Sequence, residues 1–180
     1  MACAVHINMQ YQIFDALDAG ANDSMGAYMS TNQKEQEATD TVSQWVTFRL
    51  ADEIYGIDVL QVQEVLRITE ISPVPGAPDY VLGIINLRGN VVTVIDARSR
   101  FGLPAQETDD ASRIIVVDAF DKVVGILVDN VSEVAYVPNA QIEIAPNVGA
   151  DDSNKFVSGV SNRDDELLIM VDLAKLINSE

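Results

Sequence analysis

The side chains of this chain that could do acid–base or metal chemistry are carboxylates, concentrated in short acidic runs. Asp109-Asp110, Asp151-Asp152 and Asp164-Asp165-Glu166 are the candidate cation sites. None has the glycine-centred spacing of a calcium-binding loop, and acidic turns of this kind are usually solvated. We therefore predict no metal site, although a pair of carboxylates could still serve a small acidic enzyme as general acid and base.

Nucleophilic catalysis and cofactor binding have little support. The single histidine, His6, and the single cysteine, Cys3, lie at the extreme N-terminus. They leave no intrachain disulfide, no Cys/His zinc site and no histidine for a catalytic triad in the body of the chain. Gly83 and Gly89 lack the spacing of a phosphate-binding loop, and a strand rather than a helix is expected after them. We predict a non-catalytic protein without a cofactor.

Arg88 is the charged side chain with the most informative surroundings. It lies in Asn86-Leu87-Arg88-Gly89-Asn90, where Asn and Gly predict a tight turn between two apolar strands. One interpretation is structural, with Arg88 paired to Glu64. The other is functional, with the guanidinium exposed to bind a partner's carboxylate. The sequence leaves both open.

The net charge narrows the class of partner. The 180 residues include 28 acidic and 11 basic residues, which gives a formal charge of −17. A negative field of this size repels nucleic acid and anionic lipid. The longest apolar run in the body, residues 123–128, is too short to cross a membrane. The N-terminal residues lack the basic segment and apolar core of a secretory signal. We expect a cytoplasmic protein that binds other proteins, without nucleic acid and without membrane insertion.

Short apolar runs separated by turns predict a mainly β fold. Alternation of period two predicts strands at residues 45–50, 91–95, 113–117, 123–128 and 167–171. Helical spacing predicts one short helix over residues 59–66 and another over 173–177, after the N-cap residue Asp172. Many short strands with few helices favour barrels over a parallel sheet.

The body contains an internal repeat. Residues 56–65 align with 125–134, and residues 83–96 align with 159–172. The second alignment makes Asp164 the counterpart of Arg88, which indicates a reversal of charge. We predict two similar subdomains at about 45–104 and 111–178. Residues 1–44, which are polar and rich in acids, are expected to be a disordered N-terminal extension.

The body resembles the CheW-type family of chemotaxis coupling proteins. The matching blocks are Tyr55-Gly56-Ile57-Asp58, Val62-Gln63-Glu64-Val65, Gly83 with Asn86-Leu87-Arg88-Gly89, Val124-Gly125-Ile126-Leu127-Val128-Asp129 with Val131-Ser132-Glu133-Val134, and Leu176-Ile177-Asn178. The resemblance implies two pseudo-symmetric five-stranded SH3-like barrels on one shared core. The N-terminal extension has no counterpart in the family.

The resemblance also implies two partners and no catalytic activity. One partner is the cytoplasmic tip of methyl-accepting chemoreceptors, and the other is the regulatory domain of the chemotaxis histidine kinase, in membrane-associated arrays. Implied receptor-binding residues are Val62, Glu64, Val65, Gly83 and Arg88. Implied kinase-binding residues, on the apolar surface of the second barrel, are Ile114, Gly125, Val131 and Val134. Related adaptors act in pilus-driven twitching, and the sequence does not separate the two systems.

Overall fold

The structure is a computed structural model that describes residues 41–119, 122–144, 155–163 and 166–178. Most of the predicted disordered extension, residues 1–40, lies outside the described residues. Its last residues differ from the prediction, because the first strand, β1, spans Val42–Leu50. Val42 and Ser43 already pair with a later strand, which satisfies their backbone hydrogen bonds and starts the folded body before Trp45.

The described residues form eleven strands, two short α-helices and two 3-10 helices. The strands are β1 Val42–Leu50, β2 Glu53–Asp58, β3 Val62–Arg67, β4 Val81–Leu87, β5 Asn90–Asp96, β6 Arg113–Ala119, β7 Lys122–Val128, β8 Asn130–Pro138, β9 Glu143–Ile144, β10 Val157–Arg163 and β11 Glu166–Val171. The α-helices are α1 Ala97–Arg100 and α2 Leu173–Asn178, and the 3-10 helices are Val59–Gln61 and Asn139–Gln141. Every strand predicted from alternating hydrophobicity is present, so the mainly β class is confirmed.

The strands form two sheets, each around its own apolar interior. We call the sheet β3-β6-β7-β5-β4 the first barrel and the sheet β8-β1-β2-β11-β10-β9 the second barrel. The interior of the first barrel contains Ile85, Val92, Val94, Ile114 and Val116. That of the second contains Ala135, Val137, Leu168 and Met170. The predicted pair of small barrels is confirmed, with the two-residue strand β9 added to the second.

The two halves of the sequence exchange hairpins. The β1–β2 hairpin comes from the first half but completes the second barrel, through antiparallel pairing with β8 and parallel pairing with β11. The β6–β7 hairpin comes from the second half but completes the first barrel, through the same kinds of pairing with β3 and β5. The division near residues 105–110 therefore separates the sequence repeats but not the barrels.

The two aspartates that end the aligned repeats have the same backbone environment. The Asp96 N–H donates to the Tyr80 carbonyl at 2.8 Å, and the Asp172 N–H donates to the Phe156 carbonyl at 2.7 Å. Each aspartate side chain also accepts a hydrogen bond from the helix that follows it, at 3.0 Å and 3.2 Å respectively. The predicted cap of α2 is confirmed, and α1 has an equivalent cap.

The helix predicted over residues 59–66 is wrong. Its first turn is a single 3-10 turn, in which the Asp58 carboxylate accepts a hydrogen bond from the Leu60 N–H at 2.9 Å, and β3 follows. The pairing of β3 with β6 shifts register between Val62 and Glu64. Such a shift breaks the period-two pattern, so the apolar spacing imitates a helix although β-branched valines favour a strand.

The largest apolar cluster lies between the barrels and joins them. Four aromatic rings form a chain through it, with centroid separations of 5.7 Å for Phe48 and Tyr55, 4.8 Å for Tyr55 and Phe101, and 5.6 Å for Phe101 and Phe156. Contacts of this kind contribute roughly 0.5–1.5 kcal/mol each beyond the burial of area. Residues of the first barrel that enter the same cluster include Ile95, Ile115, Val117, Val124 and Ile126. The predicted shared core is confirmed.

Candidate protein-binding site

Glu64 and Arg88 form an ion pair between the two edges of the first barrel. Glu64 lies on the edge strand β3, and Arg88 follows β4, which is the other edge strand. Arg88 Nη2 donates to Glu64 Oε2 at 3.0 Å. The Arg88 side chain is 63% exposed, whereas that of Glu64 is 16% exposed. The structure thus combines an ion pair to Glu64 with a guanidinium group at the surface.

A two-residue turn between β4 and β5 holds Arg88 in place. Leu87 pairs with Asn90, and the residues between them have φ values of 53° at Arg88 and 91° at Gly89. Two consecutive positive φ angles are typical of a type I′ turn, which joins twisted hairpin strands well. The Asn86 side chain accepts a hydrogen bond from the Gly89 N–H at 2.9 Å. The turn therefore keeps Arg88 in a left-handed conformation that is unfavourable for a non-glycine residue.

The other residues predicted to bind the receptor differ in exposure. Val62 and Val65 are half-buried on β3, and Val62 packs partly against the shared core. Gly83 is buried, and its φ is 149°. A Cβ added there would lie 2.2 Å from the Ser72 carbonyl oxygen. The Ser72 N–H donates to the Ile84 carbonyl, and the Ile84 N–H donates to the Ser72 carbonyl, each at 2.9 Å. Gly83 therefore permits a close backbone contact at this edge of the barrel and does not itself offer a contact surface.

Two of the four residues predicted to bind the kinase lie in the barrel interior. Ile114 has 0% exposure and lies inside the first barrel. Gly125 is buried on β7, where an added Cβ would lie 2.8 Å from Ile114 Cγ2. The expectation that both belong to a surface of the second barrel is wrong, because the hairpin exchange places β6 and β7 in the first. Val131 and Val134 are half-buried on β8, an edge strand of the second barrel.

The second barrel has an ion pair at the equivalent place. Glu133 is the repeat counterpart of Glu64, and Arg163 Nη1 donates to Glu133 Oε1 at 3.0 Å. The Arg163 and Glu133 side chains are 42% and 63% exposed. The sequence alignment paired Arg88 with Asp164, which lies outside the described residues, and so indicated no arginine here. Arg163, the last residue of β10, supplies one from the neighbouring position.

An ion pair between Arg98 and Asp129, which the sequence does not indicate, lies at the junction of the barrels. Arg98 Nε and Nη2 donate to the two Asp129 carboxylate oxygens at 2.7 Å and 2.6 Å. Burial raises the pKa of Asp129, but hydrogen bonds from Arg98 and from the Ala51 N–H outweigh burial and leave the pKa below its ordinary value. Asp129 belongs to a block quoted for the family resemblance, but nothing in the sequence near Arg98 indicated this pairing.

Of the three acidic runs, Asp109-Asp110 and Glu166 lie within the described residues, whereas Asp151-Asp152 and Asp164-Asp165 lie outside them. Asp109 Oδ1 accepts hydrogen bonds from the backbone N–H groups of Ala111 and Ser112, at 2.9 Å and 3.0 Å. This carboxylate therefore closes a local turn. No group of three or more His, Cys, Asp or Glu side chains in the described ranges could hold a metal ion. No helix in those ranges is long and apolar enough to span a bilayer.

The architecture and the site define a class of protein. Two interlocked small barrels leave edge strands and a tight turn at the surface, and these carry the exposed arginine, the half-buried valines and the ion pairs. Surfaces of this kind suit other proteins better than small molecules, because partners can pack along edges and turns. The class is a small β-barrel protein with surfaces suited to binding other proteins.

Comparison with known proteins identifies the family. Residues 44–180 match the model of the CheW-like domain. The chain is 36% identical over 144 residues to the chemotaxis protein CheW of Klebsiella aerogenes, covering 79% of this chain and 87% of that one. It is 35% identical over 135 residues to the CheW of Rhizobium meliloti, covering 75% and 87%. The crystal structure of the scaffolding protein TtCheW from Thermoanaerobacter tengcongensis aligns with a TM-score of 0.73 and 36% identity, covering 78% and 95%. The chain belongs to the CheW-like family of chemotaxis adaptors.

Proposed function

We propose that this protein couples methyl-accepting chemoreceptors to the chemotaxis histidine kinase. It acts without catalysis, in the cytoplasm, where it joins membrane-associated receptor arrays and lets receptors control kinase activity. The observation that carries the proposal is the Asn-Leu-Arg-Gly turn. It presents a 63% exposed arginine beside Glu64, within a chain that matches the CheW-like domain over residues 44–180.

The receptor tip docks on the open edge of the first barrel. Arg88 uses Nη2 for Glu64, and its exposure leaves other guanidinium N–H groups able to bind a carboxylate of the receptor. Val62 and Val65, on the strand that carries Glu64, add apolar area beside the charge. Gly83 contributes indirectly, since it permits the close backbone contact that shapes this edge.

The regulatory domain of the kinase docks on β8 of the second barrel. Val131 and Val134 are half-buried there, and Tyr136 on the same strand is 62% exposed. An edge strand with exposed apolar side chains offers both backbone hydrogen bonds and apolar area to a partner. Ile114 and Gly125 take no direct part, because they lie in the interior of the other barrel.

Co-sedimentation with both partners tests the proposal. The full chain is mixed with a receptor cytoplasmic fragment on vesicles and with the kinase, and kinase autophosphorylation is measured alongside sedimentation. We expect the chain to sediment with receptors, to bring the kinase with it, and to raise receptor-dependent kinase activity. Sedimentation of neither partner would contradict the proposal.

Swimming behaviour tests the pathway. A deletion strain that carries a plasmid copy of the chain should regain swimming up a chemical gradient, since the curated relatives are named as chemotaxis proteins. Restored twitching motility without restored swimming would show that the adaptor serves the pilus system instead.

A further inference from the structure

Arg98 joins several segments of the chain through a nearly buried guanidinium group. Its Nη1 donates to the Pro104 carbonyl at 2.9 Å, and its Nη2 also bonds the Gln106 side-chain oxygen. Its partner Asp129 accepts a further hydrogen bond from the Ala51 N–H at 2.9 Å. Because Ala51 lies in the β1–β2 turn, these bonds connect α1, the segment between the repeats, the β7–β8 junction and the hairpin exchanged into the second barrel.

The ion pair lies between the two proposed binding surfaces. The helix α1, which carries Arg98, directly follows β5, and β5 forms the hairpin with β4 that presents Arg88. Asp129 separates β7 from β8, and β8 carries Val131 and Val134. A single ion pair therefore connects the end of the receptor-side hairpin to the start of the kinase-side strand.

The Arg98–Asp129 pair differs in geometry and burial from the Arg88–Glu64 and Arg163–Glu133 pairs. The Arg98 and Asp129 side chains are 10% and 22% exposed, against 63% for Arg88 and 42% for Arg163. A guanidinium that donates two parallel bonds to one carboxylate has a fixed orientation. The pair therefore fixes the position of α1 relative to the start of β8.

We propose that Arg98 and Asp129 are positioning residues that transmit receptor binding at the first barrel to the kinase bound at the second. They touch neither partner. They keep the β4–β5 hairpin and β8 in one relative orientation, so that a receptor bound to the hairpin presents the kinase-binding strand correctly. This proposal rests on the proposed function. It predicts that breaking the pair separates binding from control.

Two variants and one matched control test the proposal in the full chain. Asp129→Asn removes the charge and keeps the side-chain shape, whereas Arg98→Lys keeps the charge and loses the two-pronged geometry. Arg49→Ala is the control, because it breaks an ion pair between two exposed side chains. The Arg49 side chain is 40% exposed and that of Glu166 is 62% exposed. For each variant, melting temperature, affinity for a receptor fragment, affinity for the kinase regulatory domain and receptor-dependent kinase activation on vesicles are measured.

The two variants should bind each partner with affinity within about threefold of the unaltered chain, while receptor-dependent activation falls by about tenfold, a typical size for coupling between sites. The control should change neither. If Asp129→Asn proves too unstable to assay, Arg98→Lys alone decides.

Full activation by a folded variant that lacks the pair would overturn the proposal. So would a loss of activation matched by an equal loss of binding or of folded protein, because the pair would then be only structural. If the unaltered chain itself binds neither partner, the proposed function fails first, and that result is distinct from a failure of the positioning role.

Discussion

Five strands follow equivalent orders in the two barrels, and the second barrel adds β9. Each barrel has an ion pair to the equivalent glutamate, but the two arginines are presented differently. In the first barrel Arg88 lies in a left-handed turn, with φ of 53°, and its partner Glu64 is 16% exposed. In the second barrel Arg163 ends a regular strand, and its partner Glu133 is 63% exposed. An ion pair to the glutamate of one edge strand is common to both barrels. Of the two pairs, the one in the first barrel joins both edges and contains the mostly buried glutamate, whereas Arg163 ends β10, which is not an edge strand.

The difference between the two ion pairs distinguishes a contribution to folding from a contribution to binding. An ion pair between two exposed side chains, such as Arg163 and Glu133, contributes about 0–1 kcal/mol, so that pair is not needed to hold its barrel closed. The left-handed conformation of Arg88 instead opposes folding by on the order of 1 kcal/mol or more. A conformation that costs stability and directs a charge outward is more consistent with a role in binding than with a role in folding.

The largest expected effect concerns Gly83, on the edge strand β4, and its repeat counterpart Gly159, on β10 next to the edge strand β9. Gly83→Ala places Cβ 2.2 Å from the Ser72 carbonyl oxygen at a φ of 149°, and should lower the free energy of unfolding by about 3 kcal/mol. Its counterpart Gly159→Ala places Cβ 2.9 Å from the Glu143 carbonyl oxygen, so its loss should be smaller. Urea titration of both variants measures the difference.

Gly76→Ala is the control for backbone strain alone. Its φ is 77°, and nothing lies within 4 Å of the added Cβ, so a loss of about 1 kcal/mol is expected. If Gly83→Ala were no worse than Gly76→Ala, the close contact beneath the first barrel edge would be refuted.

The next largest effect compares matched valines on the two edge strands. Val131→Asp should weaken binding of the kinase regulatory domain by more than about tenfold, since a carboxylate would be desolvated in the contact. Its repeat counterpart Val62→Asp should weaken receptor binding by a similar factor. Titration of both variants against both partners measures this. Both valines pack partly against the shared core, so circular dichroism checks the fold, and equal losses for both partners in folded variants would contradict separate surfaces.

Local patterns in the sequence predicted much of this frame. Period-two alternation identified five of the eleven strands. The repeat aligned Asp96 with Asp172, and the predicted cap at Asp172 has an equivalent at Asp96. The Asn-Leu-Arg-Gly turn identified Arg88 because turn chemistry is local. Each of these features depends on residues close together in the chain, where spacing carries the information.

Features that depend on distant pairing were not predictable in the same way. The repeat shows which strands are alike, but not which half completes which barrel, so Ile114 and Gly125 were assigned to the wrong surface. Arg98 and Asp129 meet only because β7 crosses into the first barrel and ends beside α1. The helix expected over residues 59–66 failed because a register shift in β3 produced helical spacing in a strand.

Arg88→Ala and Arg163→Ala, compared in one receptor-binding titration, test the central claim most directly. The claim is that the first barrel alone presents its arginine to the receptor. Both changes remove an exposed arginine. The melting temperature should shift little for Arg163→Ala and somewhat more for Arg88→Ala, because Arg88→Ala leaves the 16% exposed Glu64 unpaired. As a check on the pair itself, Glu64→Gln combined with Arg88→Ala should recover no receptor binding.

Affinity for the receptor fragment is the quantity that decides. We predict that Arg88→Ala weakens it by roughly tenfold or more, through loss of charged hydrogen bonds worth about 1.5–3 kcal/mol, while Arg163→Ala leaves it unchanged. Equal affinities for the two variants, whether both reduced or both normal, would contradict the account.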